Sequence, residues 1–179
     1  MAQLYANTTG YINQNNEITS SGVFIYLSSG MSKYVGRIEF TKSIKKVLNL
    51  DITNWEELFI TSAKITLFST AQTMPASGYT IAISKNGSLK SAFNFSNVSA
   101  IKENCTLAEG ETLPKNSQID IDITELFRSI NKTSELTPSS GTWYFYIYHP
   151  TLSSSEICYF YGKNYNSSST YDAYLTIEG

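Results

Sequence analysis

Short segments in which apolar and polar residues alternate dominate the chain. In ITSAKITLFST (60–70), Ala63, Ile65 and Leu67 are separated by single residues, and a period of two indicates a strand with one buried face. QIDIDI (118–123) repeats the pattern. We predict eight to ten short antiparallel strands, the clearest others lying at 22–28, 35–40, 79–83, 141–149, 157–161 and 173–177.

Two short helices interrupt this pattern. Thr53-Asn54-Trp55-Glu56 matches a capping box and predicts a helical turn over 54–59. A second helix is predicted over 124–132, with Asp122 or Thr124 as its cap. Residues 71–78 and 102–117 are predicted to be loops. Because no long helical pattern separates the strands, we predict a β-sandwich and not a parallel βαβ sheet.

Length and composition narrow the class of protein. A chain of 179 residues with 41% apolar content predicts one domain, in which residues 1–20 form an N-terminal arm or edge strand. The formal charge of −2 argues against a nucleic-acid partner. No apolar run reaches the ~18 residues that span a bilayer, so no membrane partner is expected. The first residues lack the pattern of a secretory signal, which predicts synthesis in a cytoplasm.

The order of five segments resembles the DNRLRE-type, carbohydrate-binding-module-like jelly-roll domains of phage structural proteins and bacterial surface proteins. The segments that carry the resemblance are Arg37 to Phe40, Ile60 to Leu67, Asp122-Ile123-Thr124, Gly141 to Tyr148 and Ala173 to Ile177. The resemblance implies an all-β, antiparallel jelly-roll β-sandwich with one or two short helices. It implies little about function, because its positions are core positions.

The sequence contains no convincing set of catalytic residues. His149 is the only histidine, and no nucleophile-elbow pattern accompanies it. Cys158 lies in an apolar strand, where an inert buried thiol is expected. Cys105 and Cys158 have neither metal-ligand nor disulfide-framework spacing and are expected to be reduced and unpaired. We therefore expect a protein that is not an enzyme and needs no cofactor.

The acidic residues allow a few alternatives. Asp120 and Asp122 share one face of a strand, about 7 Å apart, which suits a glycosidase pair or a calcium site. The favoured interpretation is that Asp122 caps the helix and Asp120 is solvated. Asp172 and Glu17 are weaker calcium candidates. No metal site is predicted.

The tyrosines give the clearest signal of a functional surface. Tyr144, Tyr146 and Tyr148 alternate along one strand, and Tyr159 and Tyr161 follow in the next. These five residues are the candidate ligand or partner surface. The alternatives are a second core face under a neighbouring element, a protein interface, or a platform on which sugars stack, since tyrosine combines a large apolar ring with a polar tip.

The combined expectation is a non-enzymatic structural protein of a phage virion. It would be a capsid-decorating or tail-associated jelly roll that is made in the host cytoplasm and works in the virion. Its expected partners are other virion proteins, such as a capsid or tail protein, and a homo-oligomer is compatible with this role. The alternative is a carbohydrate-binding module that recognises a cell-surface glycan.

Overall fold

Two antiparallel sheets form a β-sandwich in the computed structural model of the chain, which confirms the predicted all-β class. The β-branched and aromatic residues that dominate the chain favour strands because they pack well on a pleated, half-buried surface. The structure describes residues 2–13, 17–19, 24–28, 34–41, 60–70, 74–75, 80–84, 99–102, 104–105, 112–113, 115–126, 142–148 and 157–179.

Fifteen strands lie in these ranges. They are β1 (Ala2–Tyr5), β2 (Thr8–Asn13), β3 (Ile18–Thr19), β4 (Phe24–Ser28), β5 (Tyr34–Phe40), β6 (Ser62–Phe68), β7 (Met74–Pro75), β8 (Thr80–Ser84), β9 (Ser99–Lys102), β10 (Asn104–Cys105), β11 (Thr112–Leu113), β12 (Gln118–Asp122), β13 (Trp143–Tyr148), β14 (Ile157–Tyr161) and β15 (Tyr174–Glu178). The smaller sheet has the order β1-β15-β6-β12-β10. The larger sheet has the order β14-β4-β5-β13-β8-β9, with β2 paired to β5 and β3 paired to β2.

The smaller sheet is fully buried on one face and more open to solvent on the other. Ile65 lies opposite Ile121 of β12 on one side and Leu175 of β15 on the other, and all three side chains are buried. The intervening residues of β6, such as Lys64, point to the opposite face. This arrangement confirms the alternation predicted for the segments 60–70 and 118–123.

The centre of the larger sheet is buried on both faces. Phe145 of β13 lies opposite Ile38 of β5 on the inner face, and Tyr146 on the other face is also inaccessible to solvent. Gly36 is required where two isoleucines meet, because a Cβ at this position would lie 2.6 Å from Cγ2 of both Ile25 and Ile147. Contacts under 3.0 Å cannot be accommodated without displacing packed side chains.

The N-terminal strands pass from one sheet to the other. Leu4 in β1 pairs with Leu175 of β15, and the Ala6 N–H donates to the Ala173 carbonyl at 2.9 Å. One residue later, the Asn7 N–H donates to the Glu39 carbonyl of β5 at 2.7 Å. Residues 2–13 therefore behave as one bent strand at a corner of the sandwich. Within the segment predicted as an N-terminal arm or edge strand (1–20), β1 lies at the end of the smaller sheet, and β2 and β3 belong to the larger sheet.

Other predictions have mixed outcomes. Residues 124–126 are helical, at the predicted start of the second helix, and a 3₁₀ turn at Tyr165–Ser167 was not predicted. The predicted helical turn at 54–59 lies outside the described residues. The segments predicted as loops need correction, because β7 lies in 71–78 and pairs with β11, while β10 and β11 lie in 102–117. No helix among the described residues is long and apolar enough to cross a membrane.

Candidate functional site

Tyr144 and Tyr146 of β13 lie on the outer face of the larger sheet. Tyr144 pairs with Glu39 and Tyr146 pairs with Arg37 of β5. Tyr146 is fully buried and Tyr144 is half-buried. Burial removes Tyr146 from the exposed surface, so the core interpretation applies to it. The side chain of Tyr148 lies outside the described part of the structure.

Arg37 organises the polar groups on this outer face. Its guanidinium is almost fully buried, and Nη2 lies 3.5 Å from Oε2 of Glu39. Its Cζ lies 4.6 Å from the centroid of the Tyr144 ring, a distance at which the ring face attracts a cation. The Thr8 hydroxyl donates to the same Glu39 oxygen at 3.1 Å. A buried charge is tolerated only with such partners.

The phenol of Tyr146 is held neutral in this environment. Burial raises the pKa of Tyr146 well above its ordinary value, although the positive charge of Arg37 and its hydrogen bond to Tyr146 act in the opposite direction. Desolvation penalises the phenolate more than one neighbouring cation stabilises it. The phenol therefore stays protonated to a higher pH than an exposed tyrosine and acts as a hydrogen-bonding core residue.

Tyr161 is also an interior residue. Its side chain is buried, and its hydroxyl donates to Oδ1 of Asn116 at 2.8 Å. Its ring is stacked on Tyr171 at a centroid distance of 4.7 Å and packs against Tyr165 at 4.4 Å. Tyr161 supports the half-buried rings around it. Only the backbone of Tyr159 is described, in its pairing with β4.

A second set of aromatic residues lies on the outer face of the smaller sheet, and we call it the aromatic row. Tyr5 packs against Tyr174 at a centroid distance of 5.4 Å. Phe68 lies 6.5 Å from Tyr174 and 5.6 Å from Tyr171. Tyr5 is 47% exposed and the other three are half-buried. The row consists of Tyr5, Tyr174, Phe68 and Tyr171.

Polar side chains border the aromatic row on the β12 side. Oδ1 of Asp120 accepts hydrogen bonds from the Thr66 hydroxyl at 2.8 Å and from Nε2 of Gln118 at 2.9 Å. Gln118 is exposed and lies opposite Phe68 of the row. Lys64 is exposed on the same face. An apolar centre with a polar border has the general composition of a protein contact surface.

The two aspartates of β12 have separate structural roles. Asp122 accepts hydrogen bonds from the Thr124 N–H at 2.9 Å and the Thr124 hydroxyl at 2.6 Å, which supports its predicted role at the start of the helix. Asp120 is half-buried and hydrogen-bonded, which corrects the expectation that it is simply solvated.

The calcium candidates have ordinary partners in the described structure. Asp172 is buried, its Oδ2 lies 3.0 Å from Nζ of Lys163, and its Oδ1 accepts the Asn164 N–H at 2.7 Å. Glu17 is exposed and accepts a hydrogen bond from Nδ2 of Asn13 at 2.6 Å. The described residues contain no group of three or more His, Cys, Asp or Glu side chains suited to a metal ion.

The remaining candidates cannot be placed by their side chains. His149 lies outside the described residues, and for Cys105 and Cys158 only the backbone pairing in β10 and β14 is described. The expectations for these three residues stay predictions.

No protein-family model matches the chain, and no curated protein matches it in sequence. The resemblance to DNRLRE-type domains therefore stays a prediction, and the candidate site must be argued from geometry.

Sequence reasoning missed the aromatic row because its members lie on three strands and one loop. The register of β1, β15 and β6 brings them together. One signal was available in the sequence: Phe68 and Tyr174 occupy the outward positions of alternating strands, where a polar side chain is usual.

Proposed function

We propose that this chain is a non-enzymatic structural protein of a phage virion, capsid-decorating or tail-associated, and that it makes protein–protein contacts through the aromatic row. The observation that carries the contact surface is the row of four adjoining rings on the outer face of a sheet. Large aromatic side chains surrounded by a polar border are enriched in protein interfaces. The assignment to a virion is supported by the order of segments in the sequence.

The orientation of the rings favours a protein partner. Neighbouring rings in the row are inclined to each other by 53°, 52° and 61°. Such rings present edges and partial faces at several angles, and a protein surface can match that irregular shape by side-chain packing. A sugar ring stacks best on an aromatic face that lies flat and open.

A glycan is the second candidate ligand. Gln118 and Asp120 place an amide and a carboxylate beside Phe68. Aromatic surface combined with a few oriented polar groups also suits a small polar ligand. The tilt between the rings restricts such a ligand to one ring at a time.

Quantitative mass spectrometry of purified particles tests the virion role directly. Particles carrying the wild-type chain are compared with particles carrying the double variant Phe68→Ser/Tyr171→Ser and the control Ile18→Ser. Ile18 is a suitable control because it is 39% exposed and lies on β3 of the larger sheet. We expect the same number of copies per particle for wild type and control. For the double variant we expect at least about tenfold fewer copies, which corresponds to about 1.4 kcal/mol of binding free energy.

A labelling measurement on the wild type covers the case in which the double variant fails to fold. Lys64 is exposed beside the row in the isolated chain. We expect an amine-reactive reagent to modify Lys64 in the isolated protein and to modify it much less in particles. Absence of the chain from particles, or equal labelling of Lys64 in both states, contradicts the proposal. Binding to a glycan panel that the double variant abolishes would instead support the second candidate.

A further inference from the structure

We propose that the outer edge of β1 pairs with the same edge of a second copy of this chain, which joins two smaller sheets into one continuous sheet. β1 is at the end of the smaller sheet, where only β15 pairs with it among the described strands. This inference deepens the proposed function and rests on it for the many copies that a particle brings together.

The backbone of β1 offers hydrogen-bonding groups on its outer side. Because the Ala6 N–H bonds to β15, alternation along an antiparallel strand directs the N–H and C=O groups of Leu4 to β15 as well. The same alternation directs those of Gln3 and Tyr5 away from β15. Two residues beyond Tyr5, the Asn7 N–H points to the same side and bonds to the Glu39 carbonyl of β5.

Among the described residues, the side chains of β1 do not block this edge. Proteins commonly block an edge strand with a lysine, a proline or a bulge, and the sequence of β1 is AQLY. Gln3 and Tyr5 are both exposed. Tyr5 packs against Tyr174 at a centroid distance of 5.4 Å, and this contact restricts the ring before a neighbour covers it.

The strand is complementary to itself in the antiparallel direction. A two-fold axis at Leu4 places Gln3 of each copy opposite Tyr5 of the other, and the outward N–H and C=O groups then form about four hydrogen bonds. Strand addition at a free edge is a recurring mode of protein association. The pairing also brings the Tyr5 ends of two aromatic rows together.

A matched pair of variants at Gln3 isolates the backbone contribution. Gln3→Pro removes an N–H that faces away from β15, whereas Gln3→Ala removes the same side chain and keeps that N–H. Proline is tolerated at an edge where the N–H is not used within the sheet. Sedimentation equilibrium from about 10 μM to about 1 mM compares both with the wild type.

We expect a concentration-dependent dimer for wild type and Gln3→Ala, and a dissociation constant about 10- to 100-fold higher for Gln3→Pro, since two N–H donors are lost from each pair of copies. A wild-type chain that stays monomeric throughout, or a Gln3→Pro chain that associates like Gln3→Ala, overturns the inference.

Hydrogen exchange on the wild type keeps the test independent of the folding of any variant. The Leu4 N–H should be protected at every concentration, because it bonds to β15. The Tyr5 N–H should gain protection only as the concentration rises. Equal protection of the Tyr5 N–H at low and high concentration contradicts the pairing. If the chain dimerises in this way but is absent from particles, the pairing of β1 stands and the virion role fails. If the chain is present in particles but monomeric in solution, the virion role stands and the pairing of β1 fails.

Discussion

The two outer faces of the sandwich use tyrosine in opposite ways. On the larger sheet, Tyr146 is fully buried beside the nearly buried Arg37, whose guanidinium lies over the ring of Tyr144. On the smaller sheet, Tyr5 and Tyr174 pack on each other and stay partly open to solvent. Both sets occupy outward positions of their strands, so position in a strand does not by itself assign a tyrosine to core or surface.

Charged side chains contact the tyrosines on the outer face of the larger sheet, whereas on the smaller sheet they lie only beside the aromatic row. The buried face contains an ion pair between Arg37 and Glu39, and the Thr8 hydroxyl is a further donor to Glu39. Ring contacts join the members of the aromatic row, and hydrogen-bonded polar side chains lie at its border. The first face is therefore part of the packed interior, whereas the second keeps its aromatic rings partly open to solvent.

The largest expected effect is that of Tyr146→Ala. Removing a fully buried ring from a packed face should lower the free energy of unfolding by about 3–5 kcal/mol. Tyr174→Ala, which removes a half-buried ring from the other face, should cost less than half of that. Urea unfolding followed by circular dichroism measures both. Equal losses would erase the distinction between the two faces.

Arg37→Met tests the ionic part of the buried face. The methionine keeps part of the apolar stem but leaves Glu39 and the Tyr146 hydroxyl without the guanidinium. We expect a loss of about 2 kcal/mol, which is below the value for a fully buried pair because Glu39 is partly exposed. A double-mutant cycle with Glu39→Gln should show a coupling energy, and additive losses would indicate that the two residues act separately.

Alkaline pH should affect the buried face through Tyr146. Its folded pKa is raised, so above about pH 10 the unfolded chain loses a proton that the folded chain keeps, and stability falls. Below the unfolded pKa this contribution is constant. Relative to Tyr146→Phe, wild type should lose up to ~1.4 kcal/mol per pH unit between about pH 10 and 11. Parallel urea midpoints for the two proteins across this range would contradict the shift.

The smallest expected effect on stability is that of Tyr5→Ser. The ring is 47% exposed at the end of the row, and surface substitutions usually change the free energy of unfolding by no more than about 0.5 kcal/mol. Ile18 is the other exposed large apolar residue of the described structure. Ile18→Ser is therefore the control for replacing an exposed apolar side chain with serine outside the aromatic row. If Tyr5→Ser alone lowers the free energy of unfolding by more than about 1.5 kcal/mol, Tyr5 contributes to stability as a core residue does.

The sequence predicted the smaller sheet well because one of its faces is solvated. Alternation at Ile119 and Ile121 marks the buried face, since the residues between them are polar. The start of the helix at Thr124 was also predictable, because its hydrogen bonds to Asp122 join residues two positions apart. Local chemistry is visible in a sequence.

The candidate site was less predictable because it depends on pairings between distant segments. Tyr5 meets Tyr174 only through the register of β1 and β15. Tyr146 was open to three interpretations because both faces of β13 are apolar, and alternation then carries no information about which face is exposed. The short strands β10 and β11 were predicted as loop because pairs of only two residues leave no periodic signal.

The pairing of β1 with β15 also determines the order in which the sandwich can be completed. The two strands are separated by roughly 170 residues, so closing this contact is costly in chain entropy and belongs to a slow class of folding step. During synthesis at about 5–20 residues per second, β1 leaves the ribosome first of all the described strands and waits about 10–30 s for its partner. In that interval Leu4, which is destined for the core, is without its final neighbour. Nascent chains crowded on one messenger would therefore be exposed to aggregation through β1 during this interval.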